Sequence, residues 1–167
     1  MSESKINDLG FRLLIVGDGE EIEDLMRQVN QLGLGEKVKF VGRVSYEDVP
    51  YWISQADIAI VPFIPQLVTH NALPWKIVQY LAVGVAVVST RLRGTENTFP
   101  EGTGVVYVET PEEMVVKVQQ LSLDQEKRNQ LVHDGQRHIR NRFDWGKNVR
   151  VFEELLGSLV VTRVNSK

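Results

Sequence analysis

At 167 residues, 43% of them hydrophobic and 25% charged, the chain is long enough for one domain with a sizeable core. A net charge of −3 gives no electrostatic argument for nucleic acid, and the lack of cysteine excludes disulfides and Cys-ligated zinc or iron–sulfur sites. No run reaches the roughly 18 apolar residues of a membrane span, and residues 1–10 are too polar for a signal peptide, so a cytoplasmic setting is expected.

Residues 1–10 are polar and without period, a loose leader. FRLLIV at 11–16 is a short apolar run ending in Gly17-Asp18-Gly19, which predicts a buried strand and a turn. Ile22, Leu25, Met26, Val29 and Leu32 then recur at helical spacing, with acids in the first turn and Gly33 and Gly35 as the stop. VKFV at 38–41 is a second strand, closed by Gly42-Arg43. Ser45, with Asp48 three residues on, resembles a cap for a helix through Trp52 and Ile53. DIAIV at 57–61 is a third strand, stopped by Pro62.

Residues 70–90, HNALPWKIVQYLAVGVAVVST, organise the rest. They read as a loop, a helix opening at Pro74, a stop at Gly84 and a buried strand over 85–89. Proline suits a first helical turn because its missing N–H would be unpaired there anyway. The free amides of that turn and the helix dipole favour an anion such as a diphosphate. Lys76 falls in the same turn, and Asn71 and Gln79, eight residues apart, bracket the helix start.

Residues 91–104 read as a polar loop, and 105–108 as a last short strand. Thr110 and Glu113 match a capping box with Pro111 at the first helical position. Met114, Val118 and Leu121 share one face of that helix. Residues 123–143 suit a polar outer helix, and 145–160 a final amphipathic one with Val149/Phe152 and Leu155/Leu159 on one side, Trp145 serving as its anchor.

Strands alternating with helices predict an α/β domain: a Rossmann-like, doubly wound, mostly parallel sheet of about five strands with helices on both faces. Ligands in such sheets sit beyond the carboxyl ends of the strands. Gly17-Asp18-Gly19, Gly42-Arg43, Pro62-Phe63 and residues 71–76 all fall at those ends. No nucleophile–base pair is legible: Ser45 and Ser89 lack a nucleophile-elbow context, and the three histidines lack metal-ligand spacing.

FRLLIVGDG, VKFVGR, ADIAIVP, LPWKIVQYLAVGVAVV and FDW occur in an order and spacing that resembles the C-terminal, donor-binding domain of retaining GT-B-fold glycosyltransferases, in the large family-4 group (glycosyl transferases group 1). The resemblance covers residues 11 to about 156. It implies a leader over 1–10, a Rossmann-like nucleotide-sugar-binding domain over 11–142 and a C-terminal helix and tail over 143–167. The implied ligand is a nucleotide-diphosphate sugar of the UDP or GDP type, its hexosyl group transferred with retention and without metal or further cofactor. Gly42-Arg43 would lie against the base, and Lys76 would offset phosphate charge. Leu73 belongs to the same motif. Glu96 stands where the family often carries an acid.

Three departures stand beside the match. The family usually has Glu at both ends of the eight-residue interval; here they read Asn71, at the position implied for catalysis, and Gln79, at the ribose position. An amide offers one acceptor oxygen and no charge, so a carboxylate's stabilisation of a developing oxocarbenium ion is lost. Ala86 stands where Pro is usual. Third, the family's first strand is missing, and with it the basic residues that follow it. In the order 3-2-1-4-5-6 that strand is central, so its loss leaves the strands at Phe11 and Asp57 with unpaired edges. Three arrangements fit: a fragment, a separate subunit, or direct pairing across the gap.

Each residue also has a plainer role. Lys76 could be a solvated helix lysine, Gln79 an ordinary helix amide, and His70 and Asn71 loop or cap residues. Gly17-Asp18-Gly19 lacks the third glycine of a dinucleotide fingerprint. Arg91 and Arg93 read as solvated. The expected function is the donor-binding half of a glycosyltransferase, inactive without an acceptor-binding domain. A non-catalytic Rossmann-like module that binds a nucleotide or protein is the alternative. A third reading is a purely structural interaction domain that uses its open sheet edges, which a stable heterocomplex without nucleotide binding would favour; self-association through those edges is also expected as a partner mode.

Overall fold

The computed structural model describes residues 10–64, 66, 69 and 71–164; His70 and residues 1–9 of the expected leader lie outside the described residues. The elements run β1 (Leu13–Val16), α1 (Ile22–Gln31), β2 (Val38–Gly42), a 3-10 turn (Tyr46–Asp48), α2 (Val49–Ser54), β3 (Ile58–Val61), α3 (Trp75–Val83), β4 (Ala86–Thr90), α4 (Arg93–Thr98), β5 (Val105–Val108), α5 (Pro111–Leu123), α6 (Gln125–Arg142) and α7 (Trp145–Val164). All strand pairs are parallel, as the α/β alternation predicts.

The strands form two sheets, β1-β2 and β3-β4-β5. The break falls where the first-strand gap was expected. β1 pairs with β2 from Leu13↔Val38 onward, with an irregularity between Ile15 and Val16. β3 pairs with β4 from Ile58↔Ala86 to Val61↔Ser89.

The core sits on both faces of the second sheet. Along β3 the side chains alternate. Ala59 and Val61 join Ile77, Leu81, Val87 and Phe99 on one face. Ile58 and Ile60 pack against Ala86, Val88, Met114 and Leu121 on the other. β4 is buried along its whole length. By contrast, no residue from 10 to 58 is fully buried.

Local signals explain most boundaries. Ser45 Oγ accepts from the Asp48 amide, capping the 3-10 turn. Thr110 Oγ1 accepts from the Glu113 amide at 3.2 Å, while Glu113 Oε2 accepts from the Glu109 amide at 2.8 Å. The carboxylate thus reaches one residue before the cap. α3 ends in the left-handed Gly84 (φ 97°), and the amides of Gly84 and Val85 both donate to the Tyr80 carbonyl.

Three expectations are corrected. Residues 91–104 are not all loop: α4 lies within them, held by Leu92, Thr95 and Phe99, each fully buried. Gly94 and Thr95 are poor helix formers, so tertiary packing overrides propensity here. Pro74 caps α3 instead of opening it. Trp145 is 80% exposed, not a buried anchor, and Phe152 is 60% exposed. The anchor is Phe143, which stacks on Phe99 at 5.8 Å and meets Trp75 edge-on at 6.0 Å.

Candidate functional site

A cleft of about 1660 Å³ separates the two sheets. Its walls include Leu13, Leu14 and Val16 of β1 and Ile58, Ala59 and Ile60 of β3. Gly17, Asp18 and Gly19 after β1, Arg43 after β2, and Lys76 and Gln79 on α3 line the same cleft. Three residues singled out from the sequence, Arg43, Lys76 and Gln79, therefore share one space.

The start of α3 is chemically open. Pro74 brings no side-chain cap, so no side-chain oxygen competes for the amides of the first turn. Lys76 is exposed, with Nζ 5.1 Å above the Phe63 ring. That cation–π contact aims a flexible ammonium without neutralising it. Tyr80, one turn beyond Lys76, also lines the cleft, and burial raises its phenol above the ordinary value.

Gly42, Asn71, Leu73 and Glu96 are not part of the cleft wall. The Gly42 carbonyl accepts from the Gly17 amide at 2.9 Å, tying the β1 and β2 ends together. Leu73 packs against the core. Asn71 is exposed on the loop before α3. Glu96 is paired with Arg91, which also reaches Glu109 at 2.8 Å and Glu101 at 3.1 Å and lies over the Tyr107 ring. Arg91, read as solvated, is held by this cluster. Among the described residues no group of three or more His, Cys, Asp and Glu could hold a metal ion.

Sequence reasoning missed Gly94. A Cβ there would stand 2.4 Å from the Asn71 carbonyl oxygen and 2.8 Å from that of Ala72, both backbone atoms. The approach sets where the loop enters α3. Its sequence signal was a lone glycine, which also marks close backbone contacts. Gly94→Ala is expected to cost about 1–3 kcal/mol through forced backbone movement. A thermal melt within 1 °C of the parent would refute the close approach.

Residues 1–138 match the family model described as glycosyl transferases group 1. The chain belongs to that family. It is 32% identical over 91 residues to the Vi polysaccharide biosynthesis protein VipC/TviE of Salmonella typhi, covering 54% of this chain and 14% of that protein. It is 25% identical over 151 residues to the lipopolysaccharide core biosynthesis glycosyltransferase LpsE of Rhizobium meliloti (strain 1021), covering 89% of this chain and 42% of that protein. The chain thus spans less than half of either relative.

Solved structures share the fold of this group 1 domain. Anabaena Alr3699/HepE in complex with UDP and glucose superposes with a TM-score of 0.74 at 22% identity, over 88% of this chain and 40% of that one. Sucrose-phosphate synthase from Thermosynechococcus elongatus gives 0.78 at 18% identity, over 96% and 41%. The group 1 domain is therefore Rossmann-like and doubly wound, as expected. No helix among its described residues is long and apolar enough to cross a membrane.

Proposed function

We propose that this group 1 domain holds a nucleotide-diphosphate hexose of the UDP or GDP type at the mouth of the cleft, in a cytoplasmic setting. The observation that carries the reading is the meeting of Arg43, Lys76 and Gln79 at the side-chain-uncapped start of α3. The first-turn amides and the helix dipole receive the diphosphate, and Lys76 offsets its charge without need of a metal. Gln79 hydrogen-bonds a ribose hydroxyl, the Gly42-Arg43 backbone lies against the base, and Leu73 shapes the loop beneath. Asn71, on the loop that leads into α3, is the residue nearest in sequence to reach a donor sugar, and Glu96, paired with Arg91, is a weaker candidate for the same ligand. The whole reaction, hexosyl transfer with retention, requires a partner domain that binds the acceptor. The complex of HepE with UDP and glucose, a protein of the same fold, supports the ligand class.

Titration calorimetry with UDP, GDP and their glucose conjugates tests the reading. One diphosphate is expected to bind, and Lys76→Ala to weaken it about tenfold, the worth of one charge-assisted contact. No binding by the folded chain, or equal binding by the variant, overturns it. Binding without transfer is the second reading, favoured by amides in place of carboxylates at Asn71 and Gln79.

A further inference from the structure

Three cations among the described residues lie over aromatic rings, and they differ in what else they meet. Arg91 lies over Tyr107 but is also paired with Glu96, Glu101 and Glu109, so its charge is already neutralised. Lys39 lies 5.5 Å over Trp52, a contact that ties β2 to α2. Lys76 lies 5.1 Å over Phe63 and pairs with no carboxylate among the described residues. Of the three, it alone stands in the first turn of a helix.

Phe63 and Lys76 come from different elements that meet at one end of the sheet. Phe63 is the second residue after β3. Its amide donates to the Val61 carbonyl at 3.1 Å, across the exposed Pro62. Its half-buried ring packs against the core cluster that includes Val61 and Ile77. Backbone and core together fix the ring. Lys76 is the second residue of α3, and helix side chains lean toward the helix N-terminus. Its stem thus runs toward the open amides of the first turn, and the Phe63 face is where the ammonium rests.

A free lysine gives up rotamer entropy when a ligand holds it in one geometry. A ring face beneath the ammonium lowers that cost beforehand. A carboxylate at the same place would also hold the lysine, but it would repel an incoming phosphate. The ring orients the cation and leaves its charge available.

We propose that Phe63 is a positioning residue for anion binding: it holds the Lys76 ammonium beside the first turn of α3, where the nucleotide diphosphate is received. The inference rests on the nucleotide-diphosphate reading given above. Phe63 acts through Lys76 and needs no contact of its own with the ligand.

Titration calorimetry with UDP, and with GDP in parallel, compares the 167-residue chain with Phe63→Leu, Lys76→Ala and the double variant. Leucine keeps an apolar side chain on the core but has no ring face. Phe63→Leu is expected to weaken the nucleotide about two- to fivefold, the worth of an exposed cation–π contact. In the Lys76→Ala background the same change is expected to have no effect, and Phe63→Tyr, which keeps the ring, should bind as the parent does. A packing role alone predicts equal loss in both backgrounds, and that result overturns the proposal. So does unchanged binding by Phe63→Leu; if Lys76→Ala still weakens binding, the nucleotide reading survives it. Should leucine prevent folding, a trifluorinated phenylalanine at position 63, similar in shape with an electron-poor face, is expected to show the same loss.

NMR of the free chain gives a readout that needs no nucleotide. The ε-methylene protons of Lys76 should resonate upfield of those of the other lysines through the Phe63 ring current, and return to the ordinary range in Phe63→Leu. Absence of that shift overturns the proposal even where UDP binds. If neither nucleotide binds the parent, the nucleotide reading fails by itself. The same variants titrated with inorganic pyrophosphate then decide on Phe63, and a parent that binds no pyrophosphate overturns its role as well.

Discussion

Phe99→Ala is expected to destabilise the domain by about 3–5 kcal/mol, the cost of removing a buried aromatic ring that its neighbours cannot replace. Phe99 is fully buried, stacks on Phe143 and meets the His138 ring at 5.3 Å. Its backbone is fixed as well: the Tyr107 hydroxyl donates to its carbonyl at 2.7 Å, and His138 Nε2 donates to the Thr98 carbonyl at 2.8 Å. Burial raises the Tyr107 phenol well above its ordinary value, so this donor stays protonated. At about 2–4 °C per kcal/mol for a chain of this size, the melt should fall by roughly 6–20 °C. Phe143 also touches Trp75, the first residue of α3, so the loss should loosen the helix start beside Lys76. A change below about 1 kcal/mol in calorimetric melting would show that the aromatic cluster is not a structural hub.

Gly104→Ala is the second large effect, expected at about 2–5 kcal/mol. Gly104 has φ +91°, where a Cβ is strained by about 1–2 kcal/mol. The added atom would also stand 2.6 Å from Gly135 Cα and 2.8 Å from the Leu131 carbonyl oxygen. Both belong to the α6 backbone, so α6 must lift from the start of β5, which adds about 1–3 kcal/mol. Gly135→Ala gives the contrast. Its Cβ would meet a side-chain atom, Leu81 Cδ2 at 2.6 Å, instead of backbone, and a shift of that methyl within the core is offset by about 1 kcal/mol of helix propensity gained by alanine. Chemical denaturation of the two variants should rank Gly104→Ala well below Gly135→Ala. The reverse order would place the tight contact elsewhere.

Much of this architecture was legible because each element carried a local signature. Period-2 or continuous apolar runs marked the strands, and the Ser45, Thr110 and Gly84 signals marked helix ends. The break between β1 and β3 was legible too, since the resemblance places another strand between them. α4 was not: among its three anchors, Leu92, Thr95 and Phe99, stand the poor helix formers Gly94, Asn97 and Thr98, and tertiary burial overrides them. The run at 11–16 read as a buried strand by composition, yet β1 is partly exposed. Composition reports what a strand would bury, and among the described strands β1 pairs on one side only, with β2. The same limit applies to the site. Spacing along α3 put Lys76 and Gln79 on one cleft, but it could not show Glu96 turned toward Arg91. Nor could it show the Asn71 loop drawn against Gly94, because both contacts cross between elements.

The divided sheet has a thermodynamic consequence for the site. Arg43 belongs to one sheet's end and Lys76 to the helix that covers the other, with α2 packed on α3 between them. A diphosphate that engages both must hold two bodies in register, so part of its binding free energy is spent as ordering entropy. Anything that closes the cleft in advance removes that cost.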